Sequence, residues 1–301
     1  FLLACYGVVQ EFKGLHPIEE NWVRADEGRF ALYYNWGKFR KFSFFSDPMT
    51  YGITCAYTSV LCLVLALGPR HWFWKGFYFF CTLLMTVAMV FSGTRTAFVL
   101  LPIGVAFLTI LTLNRTFIAF SVLFFGLGAG IIFSPIKSLG PIDANALERI
   151  RSAFQPGDDP SFQVRIKNQA FIKPFILSHP IGAGLGSIGV WGQRFSPWTP
   201  IANFPPDSGF VRIAVELGWI GLILYSYMLF EVMRLGIRNY HLIRDPIIKN
   251  TQAALLSCMF TLIVANYAQE AITMYPTSVI FYTAMALTTL MPKFDRYEKK
   301  S

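Results

Sequence analysis

Ionisable residues lie at the ends of several apolar segments, where charge is costly in a membrane. Arg95 lies in the sequence Ser92-Gly-Thr-Arg-Thr96, which separates two apolar runs. Arg212 and Glu216 lie at the start of another run, four residues apart, so that on a helix they would share a face and could form an ion pair. Because such groups usually face protein or a water-filled cavity, they predict a polar cavity at a membrane boundary.

Two further basic residues, Arg165 and Lys167, lie in a long hydrophilic stretch. The forked donors of arginine suit phosphate and pyrophosphate, and these contacts are strong when they are removed from water. A cavity with several arginines and a carboxylate therefore suggests a phosphorylated substrate that is carried by a lipid.

Each of these residues also has a structural interpretation. Arg95 could snorkel to lipid phosphate, and Arg165 could be a solvated charge or a lipid anchor. Arg212 and Glu216 could form a purely structural ion pair. The polar pair Gln269–Glu270, at the end of another apolar run, is interpreted as a simple boundary.

The sequence contains no motif for a metal or a cofactor, and we expect none. The histidines are scattered, and all five cysteines lie in apolar segments, where buried free thiols are expected. The run Gly182-Ala-Gly-Leu-Gly186 follows no strand and lacks the Lys-Ser/Thr ending of a phosphate loop. We therefore expect a tight turn there.

The elements that position these residues are predicted to be membrane helices. Of the 301 residues, 54% are hydrophobic and 14% charged, whereas soluble chains carry roughly 25% charged residues. This composition predicts an all-α, polytopic integral membrane protein surrounded by membrane lipids. Much of the net charge of +9 lies where the positive-inside rule expects it, so it does not indicate nucleic acid as a partner.

Seven apolar runs are candidates to cross a bilayer. They are Met49–Leu67, Phe73–Phe91, Ala97–Leu113, Phe117–Phe133, Gly209–Met233, Ala253–Tyr267 and Thr273–Met291. The predicted segments are the end of a truncated transmembrane helix (1–10), an outer loop (11–48), four transmembrane helices (49–133), a large periplasmic loop (134–206), three transmembrane helices (207–292) and a cytoplasmic tail (293–301).

The large loop is predicted to be partly folded on the outer side of the membrane. Asp143–Phe154 has helical spacing, with Asp143 as the N-cap, and residues 155–160 form a turn cluster. Phe162–Leu177 is again apolar at helical spacing and is expected to lie along the membrane surface, interrupted near Pro174.

Four stretches, taken in order, resemble the O-antigen ligase and polymerase family of bacterial surface-polysaccharide enzymes. They are Lys41–Gly52; Ser92–Ala97, which is similar to Ser-Gly-x-Arg-x-Ala; Arg165 with Ser178–Gly186, which is similar to an arginine followed by His-Pro-Leu-x-Gly-x-Gly-x-Gly; and Asp207–Gly221. The resemblance covers roughly residues 40 to 230.

The resemblance implies a metal-independent, inverting membrane glycosyltransferase of the lipid-sugar-using, GT-C-like type, either a polymerase or a ligase. The implied donor is a glycan on undecaprenyl pyrophosphate, and the implied acceptor is a hydroxyl of a glycan or of a lipid-linked molecule. The implied location is the bacterial inner membrane, with the active site facing the periplasm or the cell exterior.

The resemblance also suggests residue roles. Arg95 and Arg165 match the two pyrophosphate-binding arginines. Ligases carry a His-Asn pair where this chain has Asp207-Ser208, and a carboxylate can also take a proton from a sugar hydroxyl, so Asp207 is expected to be the base. His179 is the alternative base.

The remaining candidates are expected to contribute to substrate binding. Arg212 and Glu216 would orient the junction between the loop and the next helix, and Lys167 would add positive potential.

Two other functions use similar residues. A transporter or flippase of a lipid-linked or anionic substrate would need a pathway between the leaflets, but the unexplained charges stay near the outer face and the sequence shows no internal repeat. A cell-wall polymerase of the shape, elongation, division and sporulation type also relies on an outer aspartate. The long arginine-containing loop and its glycine turn favour the O-antigen family instead.

Overall fold

The computed structural model describes residues 1–35, 37–133, 144–154 and 160–297, and within them the chain forms 14 helices and one two-stranded sheet. The helices are α1 Leu2–Lys13, α2 Pro17–Arg24, α3 Glu27–Tyr33, α4 Pro48–Leu67, α5 Trp72–Ser92, α6 Arg95–Thr112, α7 Arg115–Phe133, α8 Ala144–Ala153, α9 Pro160–Ser178, α10 Gly189–Phe195, α11 Gly209–Glu216, α12 Gly218–Leu242, α13 Pro246–Ala268 and α14 Thr277–Tyr297. Strands β1 Tyr34–Asn35 and β2 Lys38–Phe39 pair antiparallel. The predicted all-α fold class is confirmed.

The chain divides into two compact units. The first comprises Phe1–Phe154 and Ile243–Thr261, and the second comprises Gln155–Leu242 and Leu262–Ser301. Helix α13 contributes residues to both units.

Five of the described helices, α4, α5, α6, α12 and α13, are long and apolar enough to cross a membrane. Helix α7 contributes a shorter apolar stretch, Phe117–Gly130, and α14 covers most of the last predicted span. Helices therefore occupy all seven predicted spans. The number of crossings and their direction stay predictions.

In the first unit, α4 is largely buried and packs against α5 and α6. A Cβ at Gly52 in α4 would collide with the side chains of Ser92 and Thr94, in the turn between α5 and α6. Glycine at this position therefore lets the start of α4 approach the turn that carries Arg95.

In the second unit, α9 is anchored by a small apolar core. Ile172 of α9, 1% exposed, packs with three buried side chains, those of Ile188, Phe204 and Val215. The predicted interruption near Pro174 is wrong, because α9 is continuous with this proline inside it. A proline removes one backbone hydrogen bond, and the packing of the helix on this core offsets that loss.

The predicted helix in the large loop is present as α8, Ala144–Ala153. Leu147, 1% exposed, anchors it, and α8 packs against α6 and α7. Asp143, the predicted N-cap, and residues 155–159 of the predicted turn cluster lie outside the described residues.

The span predicted as one run, Gly209–Met233, consists of two helices. Helix α11 ends at Glu216 and α12 begins at Gly218, whose φ of +71° interrupts the helical path. A Cβ at Gly218 would also collide with the carbonyl of Pro180, so glycine is required for conformation and for space. Hydrophobicity alone does not reveal such a break.

The core of the second unit yields a stability prediction. Replacing Ile172 with alanine should lower the free energy of unfolding by about 2–4 kcal/mol, because it leaves a cavity among buried side chains. Leu177→Ala on the same helix removes a side chain that is 66% exposed and should change stability little. Thermal unfolding of both variants in the same detergent measures the difference, and equal effects would contradict the assigned core.

Candidate functional site

The sequence Ser92-Gly-Thr-Arg95 forms a tight turn between α5 and α6. The Ser92 hydroxyl donates to the carbonyl of Met89 at 2.7 Å, and the amide of Thr94 donates to that hydroxyl at 3.2 Å. Gly93 has a φ of +61°, a left-handed conformation that favours glycine. The turn ends with Arg95 as the first residue of α6.

Arg40, which precedes the Lys41–Gly52 segment, holds this turn. Its Nε donates to the carbonyl of Ser92 at 2.9 Å, and its Nη2 donates to Oγ1 of Thr94 at 3.0 Å. Its Nη1 donates to the carbonyl of Leu32 at 3.3 Å. All three nitrogens of the guanidinium are therefore used within the protein.

Arg149 of α8 reaches the same turn. Its Nη2 donates to the carbonyl of Asn35 at 2.7 Å, and a Cβ at Gly93 would collide with its Nη1. Arg40, Arg95 and Arg149, called here the arginine cluster, therefore lie around one turn of the first unit.

The arginine cluster brings like charges together. Burial, followed by Arg149 and Arg95, lowers the pKa of Arg40 to about 10, against the opposing effect of Asp47. At this pKa the Arg40 guanidinium is still protonated at neutral pH. Closely spaced cations repel one another, so each disfavours the protonated form of the others.

In the second unit, the glycine run is a turn, as predicted. Gly182, Gly184 and Gly186 have φ values of +74°, +97° and +71°. The amides of Ala183 and Gly184 donate to the carbonyls of Val215 and Glu216, each at 2.9 Å. Because these amides are already bonded at the end of α11, they are not oriented towards a phosphate.

The turn also contacts the side chain of Glu216, which is 5% exposed. The amide of Gly186 donates to Oε1 of Glu216 at 3.1 Å, and Arg212 donates to the same oxygen at 3.0 Å. The predicted pairing of Arg212 with Glu216 is therefore present. Its contacts join the glycine turn to α11.

Arg212 has a second carboxylate partner, Glu270, which follows α13. Burial raises the pKa of the Glu270 carboxyl, and Glu216 and Asp207 raise it further, while Arg212 opposes them. The interpretation of Glu270 as a simple boundary residue is wrong, because its side chain is 9% exposed and ion-paired. Its partner lies 58 positions away in the sequence, so spacing could not predict the pair.

Asp207 has a different environment from these two glutamates. The amide of Asn168 in α9 donates to Oδ2 of Asp207, and Asp207 forms no ion pair with the described residues. Arg165 lies three residues before Asn168, one turn away on the same side of α9. Arg165 and Asp207 are predicted from the sequence, whereas Asn168, which hydrogen-bonds Asp207, carries no sequence signal that marks it.

The other two predicted site residues of this unit, Lys167 and His179, have exposed side chains. Lys167 is exposed on α9. His179 is exposed at the end of α9, where its ring stacks on Phe175 with centroids 4.0 Å apart. Nδ1 of His179 lies 3.0 Å from the Phe175 carbonyl, which can only accept, so that nitrogen carries the proton in this contact.

Two arginines of the cluster, Arg40 and Arg149, were also missed. Arg40 adjoins the Lys41–Gly52 segment, and Arg149 lies in the predicted helix of the large loop, so both were near recognised features. Only their contacts with the turn, which come from distant parts of the chain, distinguish them from other basic residues.

Within the described ranges, no group of three or more His, Cys, Asp or Glu could hold a metal ion.

Part of this chain matches the model of a known protein family. The model of a family described as O-antigen ligase matches residues 80–226, a range that includes Arg95, Arg149, Arg165, Asp207 and Glu216. Together with the five apolar helices, this match supports an all-α, multi-pass membrane protein of GT-C-like type. Searches of the curated proteins and of the solved structures found no significant match.

The ion pairs of the second unit yield a prediction. Arg212→Ala should lower the free energy of unfolding by about 3 kcal/mol, because it leaves two buried carboxylates without their shared counter-charge. Arg234→Ala removes an arginine that is 60% exposed from its pair with Glu231, and should have little effect. The measurement is thermal unfolding of the two variants side by side. If Arg212→Ala were as stable as Arg234→Ala, the proposed role of the pair in the fold would be refuted.

Proposed function

We propose that this chain is a member of the O-antigen ligase and polymerase family, as the match over residues 80–226 supports, and that it transfers a glycan from undecaprenyl pyrophosphate to an acceptor hydroxyl. The product is an O-antigen or exopolysaccharide chain, made by polymerisation or by ligation. The transfer is metal-independent and inverts the anomeric centre. The enzyme lies in the bacterial inner membrane, and its active site faces the periplasm or the cell exterior.

The observation that carries the mechanism is the hydrogen bond from Asn168 to Asp207. It joins the carboxylate at the start of α11 to α9, on which Arg165 lies one turn from Asn168. A proton acceptor and an anion-binding cation therefore occur in the same region of the second unit. These are the two groups that transfer from a pyrophosphate donor requires.

The reaction is a single displacement. The acceptor oxygen attacks the anomeric carbon on the face opposite the pyrophosphate, and the bond from that carbon to the pyrophosphate oxygen breaks. The acceptor proton passes to the Asp207 carboxylate, which acts as general base. Undecaprenyl pyrophosphate departs with the electron pair.

The proposed arginines act on the leaving group. Arg165 and Arg95 neutralise the charge that develops on the pyrophosphate, a contribution that often dominates reactions of this kind. Lys167, exposed on α9, adds positive potential. Arg212 and Glu216 act indirectly, because both are bonded within the fold and hold the start of α11.

The reaction is tested by reconstitution. Purified protein in lipid vesicles is given a polysaccharide repeat on undecaprenyl pyrophosphate, with and without an acceptor, and the products are sized. A ladder of products identifies a polymerase, and a single transfer to the acceptor identifies a ligase. The absence of turnover with every acceptor would refute the proposed activity.

The residue roles predict large losses in the same assay. Asp207→Asn should lower kcat by about 10²–10⁴-fold, since an amide cannot take the proton. Arg165→Ala should lower kcat by about 10²–10³-fold through the lost stabilisation of the leaving group. The control is Arg194→Ala, which removes an exposed arginine from α10 of the same unit. Full activity in both site variants, with folding intact, would disprove this site.

Asn168 is proposed as a positioning residue. Asn168→Ala should lower kcat by about tenfold while KM changes little, because Asp207 remains but its orientation is no longer fixed. The matched control is Gln169→Ala, which changes the neighbouring polar residue of α9. A change confined to KM, or an equal effect of the two substitutions, would argue against positioning of Asp207.

A further inference from the structure

The segment between α9 and α11 keeps large apolar side chains exposed. Ile181 is 79% exposed and Leu185 is 78% exposed, and Trp191 and Phe195 are exposed as well. The stretch 178–206 contains no Asp, Glu or Lys and only one Arg, whereas roughly a quarter of the residues in a soluble chain are charged. A contiguous apolar patch on a protein surface usually marks a surface that another molecule covers. The proposed mechanism gives these side chains no role.

The glycine turn sets the direction of Ile181 and Leu185. Its three glycines have positive φ values, and two of its amides donate to the last carbonyls of α11, each at 2.9 Å. A Cβ at Gly182 would lie 2.4 Å from the backbone nitrogen of Gly218, so the turn lies directly against the junction between α11 and α12. Because the backbone faces the helices, the side chains that alternate with the glycines, those of Ile181, Ala183 and Leu185, are left exposed.

The turn lies beside the start of α12, a helix that is long and apolar enough to cross a membrane. The amide of Ile220, in the first turn of α12, donates to the carbonyl of Pro180 at 3.3 Å. This end of α12 also exposes large apolar side chains, those of Trp219, Ile220, Ile223 and Leu224. Lipid covers the exposed apolar side chains of a membrane-spanning helix. The exposed side chains of the turn therefore adjoin a surface that lipid covers.

Helix α10 extends this apolar surface away from the turn. A Cβ at Gly186 would lie 3.5 Å from the Cβ of Trp191, and the ring of Trp191 stacks on that of Phe195 with centroids 5.9 Å apart. The opposite side of α10 is fixed to the fold. Ile188, its N-cap, is fully buried in the core of the second unit, and a Cβ at Gly192 would collide with backbone carbonyls of the neighbouring segments. The two rings therefore face outward.

We propose that the side chains of Ile181, Leu185, Trp191 and Phe195, called here the interfacial surface, insert into the lipid bilayer at the boundary where α12 begins. The partner is the layer of acyl chains directly below the lipid headgroups. Tryptophan is enriched at this depth in membrane proteins, because its ring is apolar but carries a polar N–H group. A segment without carboxylates also places no negative side chain against lipid phosphates. The segment between α9 and α11 is then in contact with the membrane and does not lie wholly in water.

The experiment measures the depth of spin labels on the full-length protein in vesicles of phosphatidylethanolamine and phosphatidylglycerol. The labels are attached to the variants Ile181→Cys and Leu185→Cys, whose native side chains are exposed, so that the label leaves the core intact. Collisions with oxygen, which concentrates in lipid, are compared with collisions with a water-soluble nickel complex. Both labels should lie about 5–10 Å into the boundary between headgroups and acyl chains, the depth reached by interfacial apolar side chains.

Asn203→Cys is the matched control, because Asn203 is an exposed polar residue of the same segment. Its label should collide mainly with the nickel complex. The unmodified protein, whose five cysteines are free and mostly buried, measures the background labelling. Thermal unfolding of each labelled variant shows that its fold is retained.

Three results would overturn the proposal. The first is access of the nickel complex to positions 181 and 185 that equals its access to position 203. The second is protection from both oxygen and nickel, which would show that protein covers the interfacial surface. The third is a depth that changes with the ratio of protein to lipid, which would show that a second copy covers it. None of these measurements requires turnover, so they test the membrane contact whatever reaction the protein performs.

Discussion

The second unit depends on a break in its backbone. Between Glu216 and Gly218 the chain leaves one helix and starts another. The backbone N–H and C=O groups at the two helix ends therefore need partners outside their own helix. A backbone group left unpaired costs several kcal/mol in apolar surroundings. The glycine turn supplies them: its amides donate to the last carbonyls of α11, and the carbonyl of Pro180 accepts from Ile220 at 3.3 Å in the first turn of α12. Each of the three glycines adopts a left-handed conformation, which favours glycine.

The carboxylates of the second unit differ in their hydrogen-bond and ion-pair partners. Glu216 and Glu270 share Arg212, and Glu216 accepts from the glycine turn as well. An ion-paired, buried carboxylate is poorly suited to accept a proton from a substrate. Asp207 has an amide as its partner and no ion pair among the described residues.

Prediction from sequence was most successful where the signal is local. Apolar runs predicted the helices of the membrane segments, and the pairing of Arg212 with Glu216 followed from a spacing of four residues. It failed where the deciding contact is distant in the chain. Arg40 contacts Ser92 across 52 positions, and Asn168 contacts Asp207 across 39, so neither contact leaves a periodic pattern. The break at Gly218 was missed for a related reason, because hydropathy averages over a run and does not record a change in φ.

The departure from the family pattern at Asp207-Ser208 can be interpreted through Asn168. By resemblance, ligases carry a histidine followed by an asparagine at this position, where this chain has Asp207-Ser208. Here the amide comes from α9 instead, while Ser208 is buried and donates to the carbonyl of Asn266 at 3.3 Å. A side-chain amide can donate to a carboxylate oxygen or accept from an imidazole N–H, so it can orient either kind of base. In the proposed mechanism the base therefore also lies beside a side-chain amide, although this base is a carboxylate and the amide belongs to a different helix.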